Sequence, residues 1–163
     1  MIYTEKMVMD AQMIASTIHK NETYDDYFPY YKHLADVVSI LEDYSYSRKY
    51  VIAAWLHDTL ESGGISYTKI KLLFGLEIAE IVYAVSSELG RNRKESNEKT
   101  YSKIKSNPDA TIVKLADRIA NVVHGGKSKM YVSEHQNFKD SIRVSGVADE
   151  LWKELDLLTQ NNK

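Results

Sequence analysis

The chain has no cysteine, two prolines and seven glycines among its 163 residues, and each scarcity excludes something. Without thiols there are no disulfides, no cysteine-held zinc, no iron–sulfur cluster and no thiol nucleophile. With so few helix breakers, most of the chain is free to follow a helical period. No apolar run approaches the roughly 18 residues of a membrane span. The opening MIYTEKMVMDAQ lacks the continuous apolar stretch of a signal peptide. A cytoplasmic protein without membrane contact is the expectation. One-sided charge is missing too. The 21 Lys and Arg against 23 Asp and Glu leave a net charge of −2, so a globally basic nucleic-acid binder is disfavoured.

What is present is helical periodicity in an ordinary globular composition, 44% hydrophobic and 27% charged. Thr4 caps a first helix in which Met7, Ala11, Ile14, Ala15 and Ile18 recur at helical spacing up to about His19. Asn21 to Pro29 has no period and reads as a loop. A second helix carries Leu34, Val37, Val38 and Leu41. A third runs from about Ser47 through the apolar run Val51–Leu56 to Ser62-Gly63-Gly64, and such a run has no side to offer water. Tyr67 to Phe74 and Leu76 to Val85 form two helices divided at Gly75. Arg91 to Glu98 is strongly polar, and Asn107-Pro108 opens a helix over Asp109–Val123 that Gly125-Gly126 breaks. Amphipathic segments at Met130–Val144 and Val147–Leu158 complete one all-α domain over residues 1–163, with eight or nine short helices. The 12 tyrosines exceed what one core absorbs, which leaves room for a homo-oligomer interface.

A few polar residues stand in apolar surroundings. His57-Asp58 follows Ala-Ala-Trp-Leu directly, and an unpaired buried carboxylate costs several kcal/mol, so Asp58 needs a cation, donors or a wet cleft. Glu61 lies on the same helix face as His57 and Asp58. In the Asp109–Val123 helix the polar residues reduce to a stripe of Lys114, Asp117, Arg118 and Asn121. His33 stands one turn into the second helix. His33, His57, Asp58 and Asp117 are a mixed N/O set of the kind that suits Mn²⁺, Fe²⁺ or Co²⁺, with Zn²⁺ or Mg²⁺ less natural. By residue type alone a His-Asp pair is most often incidental, and a polar stripe is most often a solvated face with Asp117 paired to Arg118 or Lys114.

The order His33 … His57-Asp58 … Asp117 resembles the HD-domain metal-dependent phosphohydrolases. "AAWLHDTLES" and "VKLADRIANV" are similar to two of that family's motifs, and "PYYKHL" and "FGLEIAEIVYAVS" are similar to the segments around them. Together they resemble the hydrolase domain of RelA/SpoT-type enzymes and the stand-alone small alarmone hydrolases, over about residues 8 to 123. The resemblance implies an all-helical HD fold whose His33, His57, Asp58 and Asp117 bind one divalent ion, typically Mn²⁺. It implies that Glu61 is the catalytic acid that positions or deprotonates water, and that Tyr30 and Asn121 line a nucleotide pocket. The implied reaction is hydrolysis of a phosphate or pyrophosphate ester on a nucleotide. Arg91, Arg93, Lys94 and Lys99 are the nearest supply of cations, on a polar segment that either closes over the phosphates or is an ordinary solvated loop.

Two departures from the resemblance matter. Ser62 stands where the alarmone branch has an Asp after the catalytic Glu, and serine carries no charge near neutral pH. Catalysis is then weakened, or Glu61 works alone. Thr23-Tyr24-Asp25-Asp26-Tyr27-Phe28 replaces a basic word that grips base and phosphate. An acidic, tyrosine-rich loop repels a polyphosphate and instead offers rings for stacking on a base. A (p)ppGpp-like 3′-pyrophosphohydrolase therefore has two rivals: a 5′-nucleotidase-like mononucleotide phosphatase and a catalytically decayed nucleotide-binding regulator. Of the remaining histidines, His19 and His135 read as packing residues, and His124 as a packing residue or one at the pocket mouth.

Overall fold

A computed structural model describes residues 1–161. Nine helices make up nearly all of the regular structure among them: α1 (Glu5–Ile18), α2 (Tyr30–Asp43), α3 (Arg48–Leu56), α4 (Tyr67–Phe74), α5 (Leu76–Val85), α6 (Arg93–Lys105), α7 (Pro108–His124), α8 (Ser128–Ile142) and α9 (Asp149–Asn161). The all-α expectation and its helix count hold. None of these helices is long and apolar enough to cross a membrane.

Local chemistry sets most boundaries. Thr4 and Ser66 cap α1 and α4 by accepting from the backbone N–H of Met7 and Lys69. Asn92 does the same for α6 through Glu95 N–H. Pro108 opens α7 from its first turn, where its missing N–H costs nothing. Gly75 divides α4 from α5 with φ 92°, a left-handed conformation open to glycine without strain.

α3 and α7 are the axis of the fold. All six residues from Val51 to Leu56 are buried, as the unbroken apolar run requires. α1, α2, α5 and α7 pack around α3, while α8 and α9 cover the far side of α7. Two expectations need correcting. The third helix ends at Leu56, and residues 57–63 continue as turns. Asp58 O still accepts from Ser62 N–H, so the turns stay compact, with Gly63 left-handed. The stretch read as an unstructured loop contains a small antiparallel hairpin, β1 (Thr23–Tyr24) paired with β2 (Phe28–Pro29). Asp25 and Asp26 turn it, both at positive φ, a conformation aspartate tolerates better than most residues.

α7 bears on function most directly. Its stripe is no solvated face: Asp117, Arg118 and Asn121 are all buried. The helix is apolar on the sides that meet α2, α3, α5 and α9, and Lys114, Asp117 and Asn121 of its polar stripe line a cavity.

Candidate active site

The cavity, of about 280 Å³, is lined by the hairpin (Tyr24, Asp25), the start of α2 (Tyr30, His33), the turns after α3 (Asp58, Glu61), Lys114, Asp117 and Asn121 of α7 and the start of α8. Four side chains from three parts of the chain converge on its floor. The ligating atoms of His33, His57 and Asp58 lie within 4.8 Å of one another. His57 Nε2 is 3.0 Å from Asp58 Oδ2, and His33 Nε2 is 3.8 Å from that same oxygen. Asp117 Oδ1 joins them, 3.3 Å from His33 Nε2 and 3.8 Å from His57 Nε2. Around an octahedral ion with bonds of about 2.1 Å, neighbouring donor atoms stand about 3 Å apart and opposite ones about 4.2 Å, so these separations suit one divalent ion.

The proton arrangement also fits an ion. His57 Nδ1–H donates to Ala54 O at 2.7 Å, which fixes the tautomer and turns the Nε2 lone pair toward the carboxylates. That Nε2 is buried and makes no well-aligned hydrogen bond, with Asp58 Oδ2 the nearest carboxylate oxygen at 3.0 Å, so an ion there would satisfy a buried lone pair. Burial alone would depress the His57 imidazole, yet Asp58 and Asp117 outweigh it and push it up to about 9. Burial would likewise raise both carboxyls, but His57 beside Asp58, and Lys114 with the two imidazoles beside Asp117, hold them well below the usual carboxylate range. Two carboxylates held in their charged form beside a buried imidazole make a site that calls for positive charge.

A ring of hydrogen bonds orients the donors. Tyr30 OH donates to Asp58 Oδ2 at 2.6 Å. Lys114 Nζ donates to Asp117 Oδ2 at 2.8 Å, leaving Oδ1 to face the imidazoles. Asn121 Nδ2 donates to that Oδ1 at 2.7 Å, and Asn121 Oδ1 accepts from Tyr24 OH at 2.8 Å. The Tyr24 ring lies flat on His33, centroids 4.7 Å apart. Gly125 permits this closure, because a Cβ there would stand 2.6 Å from the Tyr24 hydroxyl and 2.4 Å from Asn121 O. Glu61 is held in the cavity wall by Ser87 N–H, which donates to its Oε1 at 2.6 Å.

The structure thus brings His33, His57, Asp58, Asp117, Glu61, Tyr30 and Asn121 together. It does not bring the other sequence-stated residues with them. Ser62 is outside the cavity lining; its hydroxyl donates to Asp58 O and lies 3.4 Å from His19 Nδ1. The segment expected to close over phosphates is the helix α6, with its cations engaged elsewhere. Arg93 forms a fork on Glu134, Lys94 faces Glu98, and Lys99 pairs with Glu95 and donates to Leu89 O. None of the three lines the cavity. His19 is buried, stacks on Tyr30 and contacts Glu22; His135 meets Asp156 beside Trp152. His124 is exposed and outside the cavity lining. Residues that sequence reasoning missed are Ser87, Lys127 and Tyr131, which become neighbours of the site only through the packing of α5 and α8.

Helices thus converge two imidazoles and two carboxylates on one point, with a third carboxylate in the wall, a helical arrangement able to hold a divalent ion. The HD-domain family model matches residues 11–136, and the chain belongs to that family. It is 30% identical over 124 residues to the bifunctional (p)ppGpp synthase/hydrolase SpoT of Escherichia coli K12, covering 72% of this chain and 18% of SpoT. It is 28% identical over 134 residues to the probable chloroplastic GTP diphosphokinase RSH3 of Arabidopsis thaliana, covering 75% and 19%. The chain therefore spans about a fifth of the length of these curated relatives. A solved metazoan SpoT ortholog, described as hydrolysing ppGpp, superposes with a TM-score of 0.82 over 99% of this chain and 98% of its own, at 21% identity. The lmo0812 protein of Listeria monocytogenes EGD-e superposes with a TM-score of 0.61 over 80% and 98%, at 18% identity. Both superpositions establish the shared fold.

Proposed function

We propose that this chain is a metal-dependent nucleotide phosphohydrolase that cleaves a pyrophosphate ester of the (p)ppGpp 3′ type, with His33, His57, Asp58 and Asp117 holding one divalent ion. The observation that carries the proposal is the convergence of those four donors beside a carboxylate, Glu61, held in the same cavity. The mixed imidazole and carboxylate set favours Mn²⁺, and next Fe²⁺ or Co²⁺. The relatives named for (p)ppGpp hydrolysis support the substrate class, with the chain matching only part of each.

When bound, a divalent ion supplies Lewis acidity there, easing deprotonation of water near neutral pH and neutralising charge on a phosphoryl oxygen. The chain's own groups supply the rest. Ser87 N–H fixes one oxygen of Glu61, leaving the other to orient a water and take its proton, a role worth about 10²–10⁴-fold. Tyr30, Asn121 and Lys114 hold the ligating carboxylates in one orientation. Tyr24, its ring laid on His33, and Tyr131 complete the cavity wall. The Ser62 departure removes no group from the cavity wall, which weakens the reading of a decayed regulator. The acidic hairpin favours the mononucleotide phosphatase as the second reading, because Asp25 lines the cavity and opposes a long run of phosphates.

The test is turnover by the Mn²⁺-loaded protein over a panel of guanosine and adenosine tetraphosphates, (d)NTPs, (d)NMPs and cyclic nucleotides, with Glu61→Gln as control. Pyrophosphate released from a tetraphosphate, and lost about 10²-fold or more in Glu61→Gln, supports the first reading. Phosphate released from monophosphates alone replaces it with the second. A metal-loaded protein that binds nucleotides without turnover overturns both and restores the regulator.

A further inference from the structure

Any hydrolysis at this site needs donors aimed at anionic phosphate oxygens, and most polar groups around the cavity are not free to serve. Tyr30 OH is given to Asp58 and Lys114 Nζ to Asp117. Both ends of the Asn121 amide are taken, its oxygen by Tyr24 and its nitrogen by Asp117. Tyr30 and Asn121, the expected substrate contacts, therefore act through the ligands as positioning residues. Two strong donors on the wall keep no hydrogen-bond or ion-pair partner among the described residues. They are Lys127, at the cap of α8, and Tyr131, one turn further on.

Their surroundings differ in a useful way. Lys127 is exposed at the mouth on a flexible stem, whereas Tyr131 is half-buried and fixed. The guanidinium carbon of Arg118 lies 4.8 Å from the Tyr131 ring centroid and that of Arg93 5.6 Å. Both cations are anchored on Glu134, and Arg118 also donates to Tyr101 OH at 2.9 Å. Arg93 thus bears on the site through the ring that it helps to hold. Burial keeps the Tyr131 phenol above its ordinary value, so it remains a donor throughout the neutral range.

We infer that Lys127 and Tyr131 are substrate-binding residues that grip phosphate oxygens, Lys127 as a mobile charge at the mouth and Tyr131 as a fixed hydroxyl donor. One ammonium and one phenol match a single phosphate or pyrophosphate group laid between α8 and the metal-ligand cluster. The inference rests on the hydrolase reading for what the grip accomplishes, but the grip itself is measurable without turnover.

The experiment compares wild type, Lys127→Gln and Tyr131→Phe, each loaded with Mn²⁺. It measures inorganic pyrophosphate binding by calorimetry and KM and kcat on whichever nucleotide of the panel the wild type hydrolyses. Tyr131→Phe keeps the ring beneath the two guanidinium groups, so ion content and Tm should match the wild type. The expected result is a rise of about tenfold in both KM and the pyrophosphate Kd for each variant, with kcat changed less than threefold and Lys127→Arg restoring most of the affinity. Unchanged Kd and KM in both variants overturn the inference, as does a fall in kcat alone. A wild type that binds pyrophosphate through these residues without turning over any nucleotide overturns the hydrolase reading and leaves the grip standing. One that neither binds nor turns over ends both.

Discussion

The polar stripe of α7 and the helix α6 carry similar side chains to opposite ends. α6 is the more charged, and apart from Arg93, which reaches Glu134, the cations expected over the phosphates settle locally on it: Lys94 with Glu98 and Lys99 with Glu95, each four residues apart. Such pairs contribute little, on the order of a few tenths of a kcal/mol. On α7 the charges are buried, and most of their partners come from elsewhere: His33 from α2, His57 from the turn after α3, Glu134 from α8. The contrast teaches that charge density does not mark a site. Buried charges that lack cheap local partners do, because only a ligand or a long-range network offsets their desolvation.

The comparison breaks most sharply at Asp117. Asp117→Asn keeps the shape and the amide of Asn121 but removes one ligand. It should lower ion content from one per chain to a small fraction, and turnover by about 10³-fold or more. Both fall together in metal analysis and in the assay above, whereas full activity without bound ion would refute the ligand assignment.

Next in size is a pH effect found only in the buried cluster. His57 is raised to about 9, above its ordinary value of about 6.5. In the ion-free protein its charge therefore contributes stability that is complete below about pH 6.5 and lost as pH rises through about 9. Binding an ion requires the neutral imidazole, so the sign reverses for affinity. The apparent Mn²⁺ affinity should climb by up to about tenfold per pH unit between about 6.5 and 9, which calorimetry at several pH values checks. A flat profile would mean that His57 carries no proton in the ion-free fold.

A smaller effect is expected where the hairpin closes on α7. Gly125→Ala places a Cβ against Tyr24 OH and Asn121 O, and should destabilise the fold by about 1–3 kcal/mol in urea unfolding while ion content stays near one. The smallest is on α6: Lys94→Ala, at a side chain 85% exposed, should shift stability by less than about 0.5 kcal/mol and leave turnover within twofold. A tenfold loss there would show that α6 reaches the substrate after all.

Much of this was legible in the sequence because it depends on local order. The helices at Leu34–Leu41, Tyr67–Phe74 and Leu76–Val85, the Gly75 break and the centrality of Val51–Leu56 follow from spacing, capping and an apolar run with no polar side. The identities of His33, His57, Asp58, Asp117 and Glu61 emerged from the same positions, once their words resembled a family. The end of α3 is not legible because Ser62-Gly63-Gly64 looks like a stop, while regular helix gives way to turns at His57, six residues before Gly63. The hairpin leaves no pattern in the sequence because each strand has only two residues, too few for any alternation to show.

The sequence by itself determined the all-helical class, the placement of most helices and which residues are chemically able to hold an ion. Its interactions along the chain are short-ranged, and periodicity and caps report those. Tertiary structure alone decided that the α7 stripe faces inward, that Arg93, Lys94 and Lys99 turn to carboxylates away from the cavity, and that Tyr24, Lys127 and Tyr131 complete its wall. Those outcomes depend on which surfaces pack together. Tyr24 and Asn121 are 97 residues apart in sequence and 2.8 Å apart in space, and only the packing of the hairpin against the end of α7 makes them neighbours.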